Sequence, residues 1–153
     1  MSMRPTTPIT PTLWVNGHDL RQVADYYLEV FDGKVTGDSP FTVQVTLDGV
    51  PFTLLQGGET RFEPNESVSF ALSLPDQESV DRVWDHFAKE GVPSACGWIK
   101  DRYGFSWQVV PTRLYEMLTG DDAEATARVT ECFLQVHGRA FDIAELEAAY
   151  AGR

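Results

Sequence analysis

Residues 41–56, FTVQVTLDGVPFTLLQ, carry the pattern from which the rest of the chain is read. Phe41, Val43, Val45 and Leu47 alternate with Thr42, Gln44 and Thr46, the period-two pattern of a strand buried on one face. Asp48-Gly49 interrupts it, and a two-residue hairpin needs positive φ at both central positions, which this dipeptide adopts at low cost. Pro51–Gln56 is the return strand. Upstream, Leu20, Val23, Tyr27 and Phe31 recur at helical spacing and predict a helix over Asp19–Phe31, with Gly33 as its C-terminal stop. Before it, ITPTLWV predicts a strand beginning at Ile9. Residues 1–8 carry two prolines and no periodicity, so they read as a loose arm.

The second half repeats this programme. A strand over Val68–Leu74 precedes a helix over Asp76–Glu90, with Val80, Val83 and Phe87 on one face and Gly91 as its stop, and strands follow across Cys96–Lys100 and Phe105–Val110. Thr12 against Phe70 and Gly33 against Gly91 are each 58 residues apart, and Phe52-Thr53-Leu54 precedes Phe105-Ser106-Trp107 by 53. Landmarks in the same order at near-constant spacing mark a duplication. Each half is therefore a β-α-β-β-β unit, its weakest strand at Lys34–Asp38 or Val92–Ala95. The expected fold is α+β: two tandem βαβββ modules, 9–63 and 64–111, forming a curved mixed sheet around a cleft. Residues 112–153 turn charged and alanine-rich, with helical spacing at Leu114–Leu118, Ala123–Val136 and Ile143–Ala151, and form a C-terminal helical extension suited to covering a sheet edge.

A chain of 153 residues is one domain or two small modules, and 42% apolar content is ordinary for a protein with a core. Twelve basic against twenty-three acidic residues give a net charge of −11, which repels nucleic acid and anionic membrane surfaces. With no run of eighteen apolar residues and no signal-peptide pattern, the expectation is a soluble, cytoplasmic protein. Cys96 and Cys132 read as reduced thiols. His18, His86 and His137 have no companion at metal-ligand spacing and read as surface or interface residues.

Alternation sorts the strand faces. Phe41, Val43, Val45 and Leu47, Phe70, Leu72 and Leu74, and Phe105, Trp107 and Val109 are expected beneath the two helices. The opposite faces are small and polar: Thr10, Thr12 and Trp14; Thr42, Gln44 and Thr46; Thr53 and Leu55; Ser69, Ala71 and Ser73; Ser106, Gln108 and Val110. Such a face is a solvated surface or the wall of a ligand cleft. The candidate ligand-binding residues are Thr10, Thr12, Trp14, Gln44, Thr53, Leu55, Ser69, Cys96, Trp98, Asp101 and Gln108. Asp101 is the most site-like carboxylate, although an Asp in a turn also serves to bond its own backbone.

The duplication, together with CGWIKDRYGFSWQVVP at 96–111, PNESVSF at 64–70 and the terminal DIAELEAAYAG, resembles the PhnB-like branch of the vicinal oxygen chelate superfamily. That superfamily contains glyoxalase I, bleomycin-resistance proteins and extradiol dioxygenases, and members of the branch are often labelled 3-demethylubiquinone-9 3-methyltransferase. The resemblance implies paired modules around a pocket, commonly completed in a homodimer. It also implies metal ligands, His or Glu, on the first and last strand of each module. The matching positions here are Thr10, Ser69 and Gln108, with Thr53 or Leu55 as the fourth, and none suits a divalent ion. No glycine-rich turn of the usual S-adenosylmethionine enzymes occurs.

The leading expectation is a metal-independent and cofactor-free protein that binds an apolar or aromatic small molecule, as a homodimer. The alternatives are an enzyme using Gln108, Asp101 or Cys96, the last activated by Lys100 and Arg102, and an interaction module built on the helical tail.

Overall fold

The computed structural model describes residues 4–58 and 62–153, and the chain divides into two compact units, Met1–Phe62 and Glu63–Arg153. The first unit contains β1 (Thr12–Val15), α1 (Leu20–Leu28), β2 (Gly33–Asp38), β3 (Thr42–Leu47) and β4 (Val50–Gln56). The second contains β5 (Ser69–Leu74), α2 (Gln77–Ala88), β6 (Val92–Pro93), β7 (Trp98–Lys100) and β8 (Ser106–Pro111). Three helices follow: α3 (Thr112–Leu118), α4 (Ala123–Leu134) and α5 (Ile143–Tyr150). The strands form two four-stranded mixed sheets, ordered β1-β4-β3-β2 and β5-β8-β7-β6. In each, the first strand pairs parallel with the last and the remaining pairs are antiparallel. The fold is α+β, built on the expected duplicated unit.

Helices α1 and α2 each begin on a capping aspartate. Asp19 accepts from the backbone N–H groups of Arg21 and Gln22, and Asp76 from that of Ser79, which satisfies donors that a helix start otherwise leaves bare. Helix α1 buries Leu20, Val23, Ala24, Tyr26 and Tyr27, and the buried Val43, Val45, Leu47, Phe52 and Leu54 come from the strands it packs on. Helix α2 packs on β8, where the ring of Phe87 stacks on that of Trp107 at 5.2 Å. The hairpin at Asp48-Gly49 has φ of 46° and 80°, as its sequence requires.

Several boundaries differ from expectation. β1 begins at Thr12 rather than Ile9, which is 92% exposed; Pro8 and Pro11 lack the N–H that a ladder needs. Phe41 precedes β3 and is 70% exposed, so the buried set there is Val43, Val45 and Leu47. His86 is not a surface residue. It is buried in α2, its ring 5.7 Å from that of Phe87, because positions 83, 84, 86 and 87 all fall on the helix's inner side. Gly33 is not a helix stop: it opens β2, where a Cβ would lie 1.7 Å from the Thr46 carbonyl oxygen. Gly91 does close the end of α2, its N–H donating to Phe87 O at 2.9 Å, and there a Cβ would lie 2.1 Å from the Lys100 carbonyl oxygen, so the spacing also records two close backbone approaches.

The pairing of Thr12 with Phe70 is also off by one. Thr12 aligns with Thr53 across the parallel pair, and Ser69 aligns with Ser106, while Phe70 sits opposite Trp107. A one-residue slip exchanges the faces of a strand. The repeat therefore equates Thr12 with Ser69, Thr53 with Ser106 and Leu55 with Gln108.

The C-terminal helices are joined to the second unit by more than the chain. Val110, Leu114, Met117, Val129, Val136, Phe141 and Leu146 form one buried cluster. Cys96 N–H donates to Val136 O and Gly138 N–H to Ser94 O, both at 2.8 Å, and Ala95 bridges His137. The Gln77 amide donates to Phe141 O and accepts from Ile143 N–H, each at 2.8 Å.

Candidate functional site

The registers assemble most of the candidate residues into two faces, one in each unit. In the first, Thr12, Thr53 and Gln44 lie side by side on β1, β4 and β3, and Trp14, Leu55 and Thr42 form the next row. The Gln44 side chain lies over Gly37, where a Cβ would meet its Oε1 at 1.9 Å, at the irregularity between Val35 and Gly37. Trp14 lies against Gly57 and edge-on to Phe62, ring centroids 5.6 Å apart, and is 38% exposed. Its face is polar at one end and aromatic at the other.

In the second unit, Ala71, Gln108 and Trp98 form one row across β5, β8 and β7, and Ser69, Ser106 and Lys100 form the next. Gln108 Nε2 donates to Ser69 Oγ at 2.9 Å. Lys100 Nζ reaches Glu66 at 2.9 Å, and this hydrogen bond holds the Glu66 carboxyl below its ordinary value of 4.5. The opposite face of the same strands carries Ile99, Trp107 and Val109, all buried beside α2. The parity of Trp107 and Gln108 is as expected.

Three candidates stand elsewhere. Thr10 lies outside β1, and its hydroxyl donates to Pro8 O at 3.0 Å, so the first-strand position related by the repeat to Ser69 is Thr12. Asp101 is buried on the Trp107 side rather than the Gln108 side. Its Oδ1 accepts from the N–H groups of Tyr103 and Phe105 at 2.8 and 3.1 Å, and its Oδ2 from the indole of Trp107 at 2.9 Å. Cys96 sits with Gly97 at the centre of a turn, at φ of 55° and 79°, closed by Trp98 N–H to Ala95 O at 3.0 Å. That conformation is normal for glycine and uncommon for cysteine. Burial pushes the other thiol, Cys132, up from its ordinary value.

Ser106 is not among the ligand-binding candidates, and Lys100 enters the sequence analysis only as a neighbour that would activate Cys96. Alternation already placed Ser106 on the Gln108 face; its burial required the neighbouring strands. A separate cavity of about 250 Å³ in the first unit is lined by His18, Arg21, Asp38 and Ser39 among others. Arg21 is paired there with Asp38 at 3.1 Å, so its charge is matched internally.

The metal positions implied by the resemblance become, through the register, Thr12, Leu55, Ser69 and Gln108. Two hydroxyls, one neutral amide and a hydrocarbon offer neither an anionic oxygen nor an imidazole, and the amide is already spent on one of the hydroxyls. This donor set does not fit a divalent ion. Among the described residues no group of three or more His, Cys, Asp or Glu side chains is placed to hold one. No described helix is long and apolar enough to cross a membrane.

Comparison with known proteins agrees with this architecture. A Bacillus cereus PhnB protein, described as a candidate 3-demethylubiquinone-9 3-methyltransferase, superposes with a TM-score of 0.64 at 21% identity, over 69% of this chain and 99% of its own. A Pseudomonas aeruginosa protein gives 0.57 at 17% identity, over 67% and 95%. The fosfomycin resistance protein FosX of Mesorhizobium loti gives 0.51 at 17%, over 82% and 100%. No curated protein matches the chain closely enough to count as a relative. The family pattern described as 3-demethylubiquinone-9 3-methyltransferase matches residues 7–110, across both sheets and up to the start of the helical extension. The chain belongs to that family.

Proposed function

We propose that this chain is a metal-independent binding protein for a small apolar or aromatic molecule, taken up on the polar sheet faces and in a homodimer. The observation that supports it is the bond from Gln108 to Ser69, which joins two positions that would carry metal ligands into a neutral hydrogen-bonded pair. Beside that pair stands Trp98, in register with Gln108, and the corresponding face of the first unit carries Trp14. Neutral polar groups next to an aromatic surface orient a small ligand without demanding a charge on it. The methyltransferase description of the family does not supply a mechanism here: each sheet holds one parallel pair, whereas the usual S-adenosylmethionine enzymes use a doubly wound parallel sheet.

Thermal-shift screening against aromatic compounds tests the reading, since a ligand at a hundredfold excess over its Kd stabilises the folded state by about 2.7 kcal/mol. Elemental analysis of the purified protein is the companion measurement. Silence across the screen, or one tightly held transition-metal ion per chain, overturns it.

A further inference from the structure

We propose that the hydroxyls of Ser69 and Ser106 form a two-donor subsite for a neutral carbonyl oxygen on an aromatic ligand, an inference that deepens the small-molecule reading above and rests on it. Ser106 is 2% exposed, and its Oγ has no hydrogen-bond partner among the described residues. Folded proteins leave few buried hydroxyls in that state, because each one costs about 1–3 kcal/mol. Ser69 is in register with it on the adjacent strand, on the same face. The Ser69 oxygen already accepts from Gln108 Nε2, so its own proton is the one left to give.

Two hydroxyl protons side by side call for an oxygen with two lone pairs. Lys100, in register with Ser106 on its other side, is paired with Glu66 at 2.9 Å. Because β8 lies between β5 and β7, that ion pair spans the start of β8. The neighbouring cation is thus already neutralised by a carboxylate, and the chain carries a net charge of −11, so the fitting oxygen belongs to a ketone or amide rather than a carboxylate. Trp98, one row along the same face, offers the ring surface. Entry of the oxygen requires the Lys100 side chain, 33% exposed, to move away from the Ser106 row.

Titration of the 15N-labelled full chain with acetophenone, ethylbenzene and benzoate, in the wild type and in Ser106→Ala and Ser69→Ala, tests this. Acetophenone should shift the resonances of β5, β7 and β8 with an affinity about fivefold above ethylbenzene, the value of one net neutral hydrogen bond. Either variant should erase that preference. Ser106→Ala should melt no lower than the wild type, since it removes an unsatisfied hydroxyl. A preference that survives in both variants, or tighter binding of benzoate, overturns the carbonyl subsite and leaves the small-molecule reading standing. If none of the three compounds shifts a resonance in residues 63–153, both readings fall.

Discussion

The indole N–H of Trp107 donates to Asp101 Oδ2 at 2.9 Å, tying the turn between β7 and β8 to the layer under α2. The other carboxylate oxygen gathers the backbone N–H groups of Tyr103 and Phe105, so one buried side chain organises the whole reversal. Trp107→Phe keeps most of the packing and loses that bond, and should cost about 1.5–3 kcal/mol, the range for a hydrogen bond to a charged group. Trp107→Ala also empties the space beside Phe87 and should cost about 3–5 kcal/mol. Urea unfolding of the two variants measures both terms, and a Trp107→Phe variant as stable as the wild type would show that the bond contributes nothing.

Gly33 and Gly91 should behave alike although they stand in different sheets. An alanine Cβ meets a backbone carbonyl oxygen at 1.7 Å in one case and 2.1 Å in the other, and a carbonyl fixed in a ladder cannot retreat as a side chain can. Each alanine variant should lose about 1–3 kcal/mol, as overpacked sites do. Gly58, with no atom of the described residues within 4 Å of its notional Cβ, supplies the control, and its alanine variant should stay within about 0.5 kcal/mol of the wild type.

These positions show what was legible in the sequence. The duplication and the sheet faces follow from alternation, which is a local signal, and so Val43, Val45, Trp107 and Gln108 were placed correctly. The glycines were legible as landmarks, but their cause lies in a neighbouring strand. Register was the weaker inference: matching Thr12 to Phe70 ignored that one is polar and outward and the other packs on Trp107, and correcting it moves the first-strand position from Thr10 to Thr12. Asp101 looked like a site residue because sequence shows a charge and not its partners. Ser106 is legible only as one residue of a polar face for the converse reason, since a serine there looks solvated until its burial is seen.

Gln77 should govern the attachment of the C-terminal extension. Its amide holds Phe141 O and Ile143 N–H from the first turn of α2, a pairing that no hydrocarbon replaces. Gln77→Ala should cost about 1–3 kcal/mol, with the loss concentrated in the extension. Hydrogen exchange should quicken at Ile143 and through α5 while β8 keeps its protection. A uniform acceleration across the second unit would mean that the amide supports the sheet rather than the extension.

The ion pair between Arg113 and Glu147, 2.6 Å apart, joins α3 to α5 and carries a pH signature. The hydrogen bond from Arg113 holds the Glu147 carboxyl below its ordinary 4.5, so the pair's contribution is fully present above that value and is lost as the pH falls through the lowered one. Both side chains are more than a third exposed, and solvent screening limits the contribution to about 1 kcal/mol or less. Glu147→Gln should therefore be slightly less stable than the wild type at pH 7 and equal to it in acid. A gap that widens on acidification would reverse the sign of the argument.

Gln108 and Trp107 are adjacent on one strand and should fail in opposite ways. Gln108 lies half-buried on the outward face, and its amide gives one bond to Ser69, so Gln108→Ala should leave stability within about 1 kcal/mol of the wild type. The same change frees the Ser69 oxygen and removes the group that fixes which way its hydroxyl points. Affinity for an aromatic ligand found by screening should then fall severalfold, with Ser69→Ala giving a loss of similar size. Because the two side chains form one pair, the double variant should lose little more than either single one. Losses that simply add would mean that Gln108 and Ser69 meet the ligand separately, and that their bond is incidental to binding.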